Sequence, residues 1–238
     1  MGLNYTSHAA EVGLPVPRFP ITCMKPPGAL LYSPGSLEAG AAPDCGAVGS
    51  TVRVPKGVQG ETDYEGELAF VVGARCRDVP NDAAAADAVI AGYTVALDIT
   101  ARKWQGVKGG NQWCYAKSFD TFLPLGPRLA KLSVAEVAAM RITTRLNGET
   151  VQDAPFSEFL FSIPQVLSHL SAATTLYPGT VVLTGTPGGV GFCRTEPVRA
   201  PDGTTTTVKA PRYLRHGDAL AVEVASIGTL RCDVAFEA

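Results

Sequence analysis

DYEGELAFVVGA, residues 63–74, opens with paired carboxylates and closes as an unbroken apolar run. In an extended chain successive side chains alternate, so Glu65 and Glu67 share one face, about 6.5 Å apart along the strand. Two carboxylates that close repel each other in an apolar setting. A hard divalent cation removes the repulsion by taking their oxygens as ligands. A solvent-facing edge strand would show the same alternation. Asp98 favours the metal reading: it is the one acid in the apolar stretch GYTVALDIT (92–100), and Thr100, Arg102 and Gln105 follow it closely. The pattern nominates Glu65, Glu67 and Asp98 as a three-carboxylate metal site.

Outward from this run, 25 glycines and 18 prolines punctuate short β-branched segments, which predicts a fold built mainly from strands and turns. Strands are expected at 50–55, 67–74, 92–100, 140–148, 180–187 and 219–228. LNGETVQ carries an Asn-Gly hairpin signal, and VEVASIGTLRCDV reads as a second hairpin. Helices are expected over 81–92, over 133–140 with a Ser133/Glu136 capping box, and over 162–174 with Pro164 near the start. The fold class expected is α+β, mainly β. Residues 1–50 read as an N-terminal lid or wrapping arm and residues 51–238 as one catalytic domain. The polar segment 194–211 reads as an inserted loop, with a small hairpin of its own, between two strands.

Composition narrows the partners. The chain has 238 residues and a formal net charge of -2, with no Lys/Arg run, so nucleic acid is not an expected partner. No apolar stretch is long enough to span a membrane, and the N-terminal residues do not read as a signal peptide. The six cysteines form no CxxC pair, which fits reduced thiols. The location expected is the cytoplasm, with an organelle matrix such as the mitochondrial one fitting equally.

Other polar groups stand in apolar context. Lys117 lies among aromatics in WCYAKSFD. TGTPGGVG (184–191) is a Gly-rich turn whose amides and Thr186 hydroxyl could hold an anion, or could simply connect strand to turn. His8 and Glu11, at i and i+3, would share a helical face as a general-base pair, unless His8 is merely exposed.

These elements resemble the fumarylacetoacetate hydrolase family, and the resemblance covers nearly the whole chain. It rests on seven motifs in the family's order: N-Y-x-x-H-x-x-E from Asn4, K-P-P from Lys25, D-Y-E-x-E-L-A from Asp63, G-Y-T-x-x-x-D-x-T-A-R-x-x-Q from Gly92, W-x-x-x-K-S-F-D-x-F-x-P-L-G-P from Trp113, N-G-x-x-x-Q from Asn147, and L-T-G-T-P-x-G-V-G from Leu183. The chain looks most like the family's fungal branch. The resemblance implies a mixed β-roll with few short helices, usually a homodimer, and a Mg²⁺ ion, with Mn²⁺ or Ca²⁺ as alternatives, on Glu65, Glu67 and Asp98. It makes His8, Glu11 and Lys117 catalytic. It assigns substrate contacts to Lys25, Arg102, Gln105, Gly185 and Thr186. Substrates would be small keto or β-diketo acids, and the activity expected is hydrolytic C–C cleavage of an acylpyruvate-like acid through a metal-stabilised enolate. Oxaloacetate decarboxylation, tautomerisation, or an isomerase- or dehydratase-type reaction would use the same intermediate.

Overall fold

The computed structural model describes residues 1–32, 50–199 and 204–238. Cys45, the rest of the 1–50 arm and residues 200–203 of the 194–211 segment lie outside the described residues. In chain order the first strands are β1 (Leu30–Tyr32), β2 (Thr51–Val54), β3 (Thr62–Asp63), β4 (Gly66–Val72), β5 (Ile90–Leu97), β6 (Thr100–Ala101) and β7 (Leu123–Ala130). Then come β8 (Arg141–Leu146), β9 (Glu149–Pro155), β10 (Val181–Leu183), β11 (Thr195–Arg199), β12 (Thr205–Lys209), β13 (Ala219–Val224) and β14 (Gly228–Phe236). The helices are short: α1 (Thr6–Val12), α2 (Ala83–Val89), α3 (Arg102–Gln105), α4 (Trp113–Ala116), α5 (Val134–Ala138) and α6 (Ile163–Ser171). None is long and apolar enough to cross a membrane. This is the mixed α+β architecture expected.

Two five-stranded sheets form the body, ordered β1-β7-β5-β4-β10 and β2-β14-β13-β8-β9. The hairpins follow from local chemistry. Asn147 and Gly148 both take positive φ, 52° and 84°, and turn β8 antiparallel into β9. β13 returns as β14 through a turn in which Ser226 has φ 64°. The sheets face each other across one core, where Leu68, Phe70 and Val95 of the first meet Ile142, Val222 and Leu230 of the second. β4 is buried on both faces, because a smaller cluster of Ala69, Ala96, Leu123 and Leu125 lies on the outer side of its sheet.

Several expected elements differ in extent: the helix of 81–92 is Ala83–Val89, and residues 90–92 begin β5. The strand of 180–187 stops at Leu183, since Gly185 takes φ 95° and turns the chain out of the sheet. The helices at 133–140 and 162–174 start behind capping boxes, Ser133 with Glu136 and Ser162 with Gln165, and end early, at Ala138 and at Ser171, where Ala172 turns extended. The 194–211 segment does contain a hairpin, β11 against β12. The described part of the N-terminal arm runs across the outer face of the first sheet and ends as β1, parallel to β7.

Candidate active site and metal centre

Glu65 and Glu67 point to the outer face of the first sheet, one strand in from its edge, so they are not on a solvent-facing edge strand. β4 pairs with β5 so that Glu67 stands opposite Ala96. Asp98 follows β5, and its amide donates to the Glu65 carbonyl at 2.8 Å. One carboxylate oxygen from each acid lies within 4.8 Å of the others, and all three residues are buried. The residue between the two glutamates has to be glycine. Gly66 faces the second sheet, where a Cβ would overlap Thr144 Oγ1. The Gly66 amide donates to Gln152 Oε1 at 3.0 Å.

Three cations surround the acids. Lys117 Nζ donates to Glu65 Oε2 at 2.7 Å, Asp98 Oδ2 at 2.5 Å and Thr100 Oγ1 at 2.8 Å. Lys25 Nζ lies 2.9 Å from Asp98 Oδ1 and donates to the carbonyls of Ile99 and Lys117. Arg102 spans Asp63 and Glu65, each at 2.8 Å, and its Nη1 also donates to Gln105 Oε1 at 2.6 Å. Burial opposes ionisation of Glu65 and Asp98, but Lys117, with Arg102 beside Glu65 and Lys25 beside Asp98, outweighs it and holds both below the usual carboxylate range. At Glu67 burial, reinforced by the Asp98 and Glu65 charges, outweighs the pull of the Met1 ammonium and Lys117 and pushes it up to about 8.

Glu67 supplies the test of whether a metal ion fits. Its Oε2 accepts the Gly185 amide at 2.5 Å, while its Oε1 is buried without a hydrogen-bond partner. A buried oxygen beside two further carboxylates is what an all-oxygen divalent site requires, so the three acids can hold a divalent metal ion.

α1 brings His8 over the cluster. Tyr5 precedes the helix in extended conformation and bridges to Phe159, and Gly13 closes it at φ 67°. His8 is 6% exposed, and its Nδ1 lies 2.6 Å from Glu11 Oε1. Glu11 Oε2 in turn accepts the Gly189 amide at 2.8 Å. The carboxylate thus fixes the ring through Nδ1 and leaves Nε2 for other work.

The Gly-rich turn holds protein carboxylates. Gly185 and Gly189 donate to Glu67 and Glu11, not to a free anion. Thr186 is buried, donates to the Gly66 carbonyl at 3.0 Å and accepts from Gln152 Nε2 at 2.7 Å. The expected substrate contacts Gly185 and Thr186 thus brace the Glu67 carboxylate and the Gly66 carbonyl. A cavity of about 320 Å³ is lined by His8, Glu65, Arg102, Gln105, Lys117 and Phe192 among others. Lys25 lines a second cavity of about 360 Å³, which also reaches Asp98 and Lys117.

Three residues quoted in the motifs carry roles that spacing did not assign. Asp63 is fully buried and accepts from Arg102 and from the amides of Tyr64, Gly191 and Phe192. Asn4 ties the arm to Phe161 and Thr184 through its side chain. Gln152 links Gly66 to Thr186 and Pro187.

Known proteins share this arrangement of chain. The family described as "Fumarylacetoacetate (FAA) hydrolase C-terminal" matches residues 1–235. The mitochondrial oxaloacetate tautomerase FAHD2A of Bos taurus is 36% identical over 231 residues, which cover 97% of this chain and 63% of that protein. The chain thus spans less than two thirds of that relative's length. The crystal structure of 5-carboxymethyl-2-hydroxymuconate delta-isomerase from Mycobacterium smegmatis matches with a TM-score of 0.74 at 32% identity, covering all of this chain and 77% of the other. Maleylpyruvate hydrolase from Sphingobium sp. SYK-6 matches with a TM-score of 0.69 at 25% identity, covering 99% and 69%.

Proposed function

The chain belongs to the fumarylacetoacetate hydrolase family, and we propose that it is a Mg²⁺-dependent enzyme catalysing keto–enol proton transfer on a 2-oxo acid of the oxaloacetate kind. The observation that carries this reading is that His8, fixed by Glu11, lines the same cavity as Glu65 and Lys117. Glu65, Glu67 and Asp98 would hold the ion. When bound, it supplies Lewis acidity toward the oxygens of the keto acid.

The chain's own residues divide the rest of the work. Arg102 and Gln105 orient the substrate from the cavity wall. Lys117, whose charge Asp98 and Glu65 maintain against burial, stands beside the developing negative charge on the substrate oxygen. His8 takes the proton from the carbon next to the ketone and returns it in the reverse direction, while Glu11 supports the imidazolium. The arm bearing α1 shields the site from water, which strengthens each of these charges. The similarity to a tautomerase and an isomerase favours proton transfer as the chemistry.

Hydrolytic C–C cleavage of an acylpyruvate is the second reading. There His8 would activate water against the distal carbonyl, and the likeness to a maleylpyruvate hydrolase supports it. Oxaloacetate decarboxylation or a dehydratase-type step would need the same cavity. The assembly proposed is a homodimer in the cytoplasm or the mitochondrial matrix, with neither nucleic acid nor membrane as a partner.

The test follows the enol absorbance of oxaloacetate with Mg²⁺ and then with EDTA, beside pyruvate release and acylpyruvate cleavage. Equilibration faster than the spontaneous rate and lost in EDTA is expected. Metal-dependent acylpyruvate cleavage with no effect on oxaloacetate would replace this reading with the second.

A further inference from the structure

The β11–β12 hairpin reaches the wall of the active-site cavity through one side chain. Lys209, the last residue of β12, holds its Nζ 3.8 Å from the centroid of the Phe192 ring. Phe192 lines the cavity, and the Arg102 guanidinium lies 5.8 Å from the same ring. The hairpin is tied down beside this contact: the Ala210 amide donates to Arg194 at 2.8 Å, and Arg194 pairs with Glu149 at 2.7 Å. Glu11, Arg102 and Lys209 all lie near enough to the Cys193 thiol to act on it electrostatically.

Charge bookkeeping gives this contact its meaning. Arg102 is shared between Asp63 and Glu65, Lys117 between Glu65 and Asp98, and Lys25 is held by Asp98. Each cation inside the site is therefore already matched by protein carboxylates. Lys209 is exposed, and among the described residues no carboxylate lies within ion-pair distance of it.

We propose that Lys209, steered over Phe192 by the β11–β12 hairpin, receives the distal carboxylate of a 2-oxo dicarboxylic acid and so sets the enzyme's substrate class. This rests on the 2-oxo acid reading above and adds to it the second charged group of the substrate. An exposed ammonium against the face of a ring that lines the cavity can swing toward an incoming anion and draw it in. The aromatic ring serves as its resting place, and no other anion has to be displaced.

The experiment compares oxaloacetate with its 4-methyl ester, which keeps the keto acid head and removes the distal charge. KM is measured for both, and binding to the Mg²⁺-loaded protein is measured by tryptophan fluorescence, since Trp113 lines the cavity. Lys209→Ala should raise KM for oxaloacetate about tenfold at unchanged kcat, an effect expected of a lost charged contact, and leave the ester unaffected. Lys209→Arg should restore most of the difference, and Lys209→Glu should favour the ester. Equal effects on both substrates, or none, would overturn the proposal and leave Lys209 as a clasp for the hairpin. If the wild type turns over neither compound but binds the diacid more tightly than the ester in a Lys209-dependent way, the proton-transfer reading fails and this assignment stands.

Discussion

Gly66 is held against Thr144: the space a Cβ would need at Gly66 is filled by the threonine hydroxyl oxygen of the opposite sheet. The glycine between Glu65 and Glu67 thus lets the two sheets close while both acids face outward. Gly66→Ala should destabilise the protein by about 1–3 kcal/mol through overpacking. It should also weaken divalent-ion binding, because β4 has to shift. Combining it with Thr144→Ala should recover part of the stability in thermal melts. If Gly66→Ala alone leaves both Tm and metal affinity unchanged, the sheet-to-sheet contact is not what fixes the two glutamates.

Glu67→Gln separates the fold from the metal. Glu67 is pushed up to about 8, so at neutral pH the apo protein mostly carries it protonated, and the amide imitates that form. Its contact with the Gly185 amide can be kept by the amide oxygen. Apo stability should stay within about 1 kcal/mol of wild type, within the ordinary range for a substitution that leaves no uncompensated charge. The rise in Tm produced by millimolar Mg²⁺ should vanish. Outright unfolding would mean that Glu67 is structural.

The same shift fixes the sign of a pH dependence. The ordinary value for a glutamate is 4.5, and Glu67 in the folded chain stands at about 8. Between these values the folded apo protein binds a proton that the unfolded chain has released, so apo stability falls as pH rises through this window. A divalent ion must displace that proton, so its affinity should climb with pH and level off above about 8. Calorimetry in buffers of different ionisation enthalpy should record proton release at pH 7 and almost none at pH 9. A metal affinity constant from pH 6 to 9 would contradict the assignment.

How much of this was open to sequence reading depended on the range of the contact. Period-two alternation put Glu65 and Glu67 on one face, and i,i+3 spacing paired His8 with Glu11. β7 escaped notice because Pro124 and Pro127 in LPLGPRLA look like breakers. Pro127 is accommodated where the β5–β7 register slips between Tyr93 and Val95, and Pro124 stands opposite Leu31 of β1. Asp63, Asn4 and Gln152 act through partners more than a hundred residues away or across sheets, and no local pattern encodes that. A Gly-rich turn rich in amides reads the same whether its anion is a substrate or the chain's own carboxylates, and here Gly185 and Gly189 donate to Glu67 and Glu11.

Lys117 makes the acid cluster stable before any ion arrives. Its ammonium bridges Glu65 and Asp98 in full burial, so Lys117→Met leaves two buried carboxylates short of a partner. Breaking one side of such a network costs about 3–5 kcal/mol. Apo Lys117→Met should melt well below wild type. A divalent cation replaces the missing charge, so Mg²⁺ should raise the Tm of the variant more than that of the wild type. If the variant melts like wild type and gains nothing extra from Mg²⁺, Lys117 is not the counter-charge of the site.

His8 is the base in the proposed reaction, and its substitution tests role apart from structure. It sits on the arm, lines the cavity, and among the described residues its ring hydrogen-bonds Glu11 and none of the three acids. His8→Ala should leave the Mg²⁺-induced Tm shift intact and lower kcat by about 10²–10⁴-fold, the usual worth of a positioned general base. Glu11→Gln should lower kcat by a comparable factor. Its single amide oxygen can serve only one of the two contacts: kept on the Gly189 amide, it turns the NH2 toward Nδ1 and leaves the imidazole proton on Nε2, where a base needs a free lone pair. If His8→Ala retains near-full activity, proton transfer runs through another group. The nearest basic candidate lining the cavity, Lys117, is held protonated by Asp98 and Glu65 and is poorly suited to accept a proton.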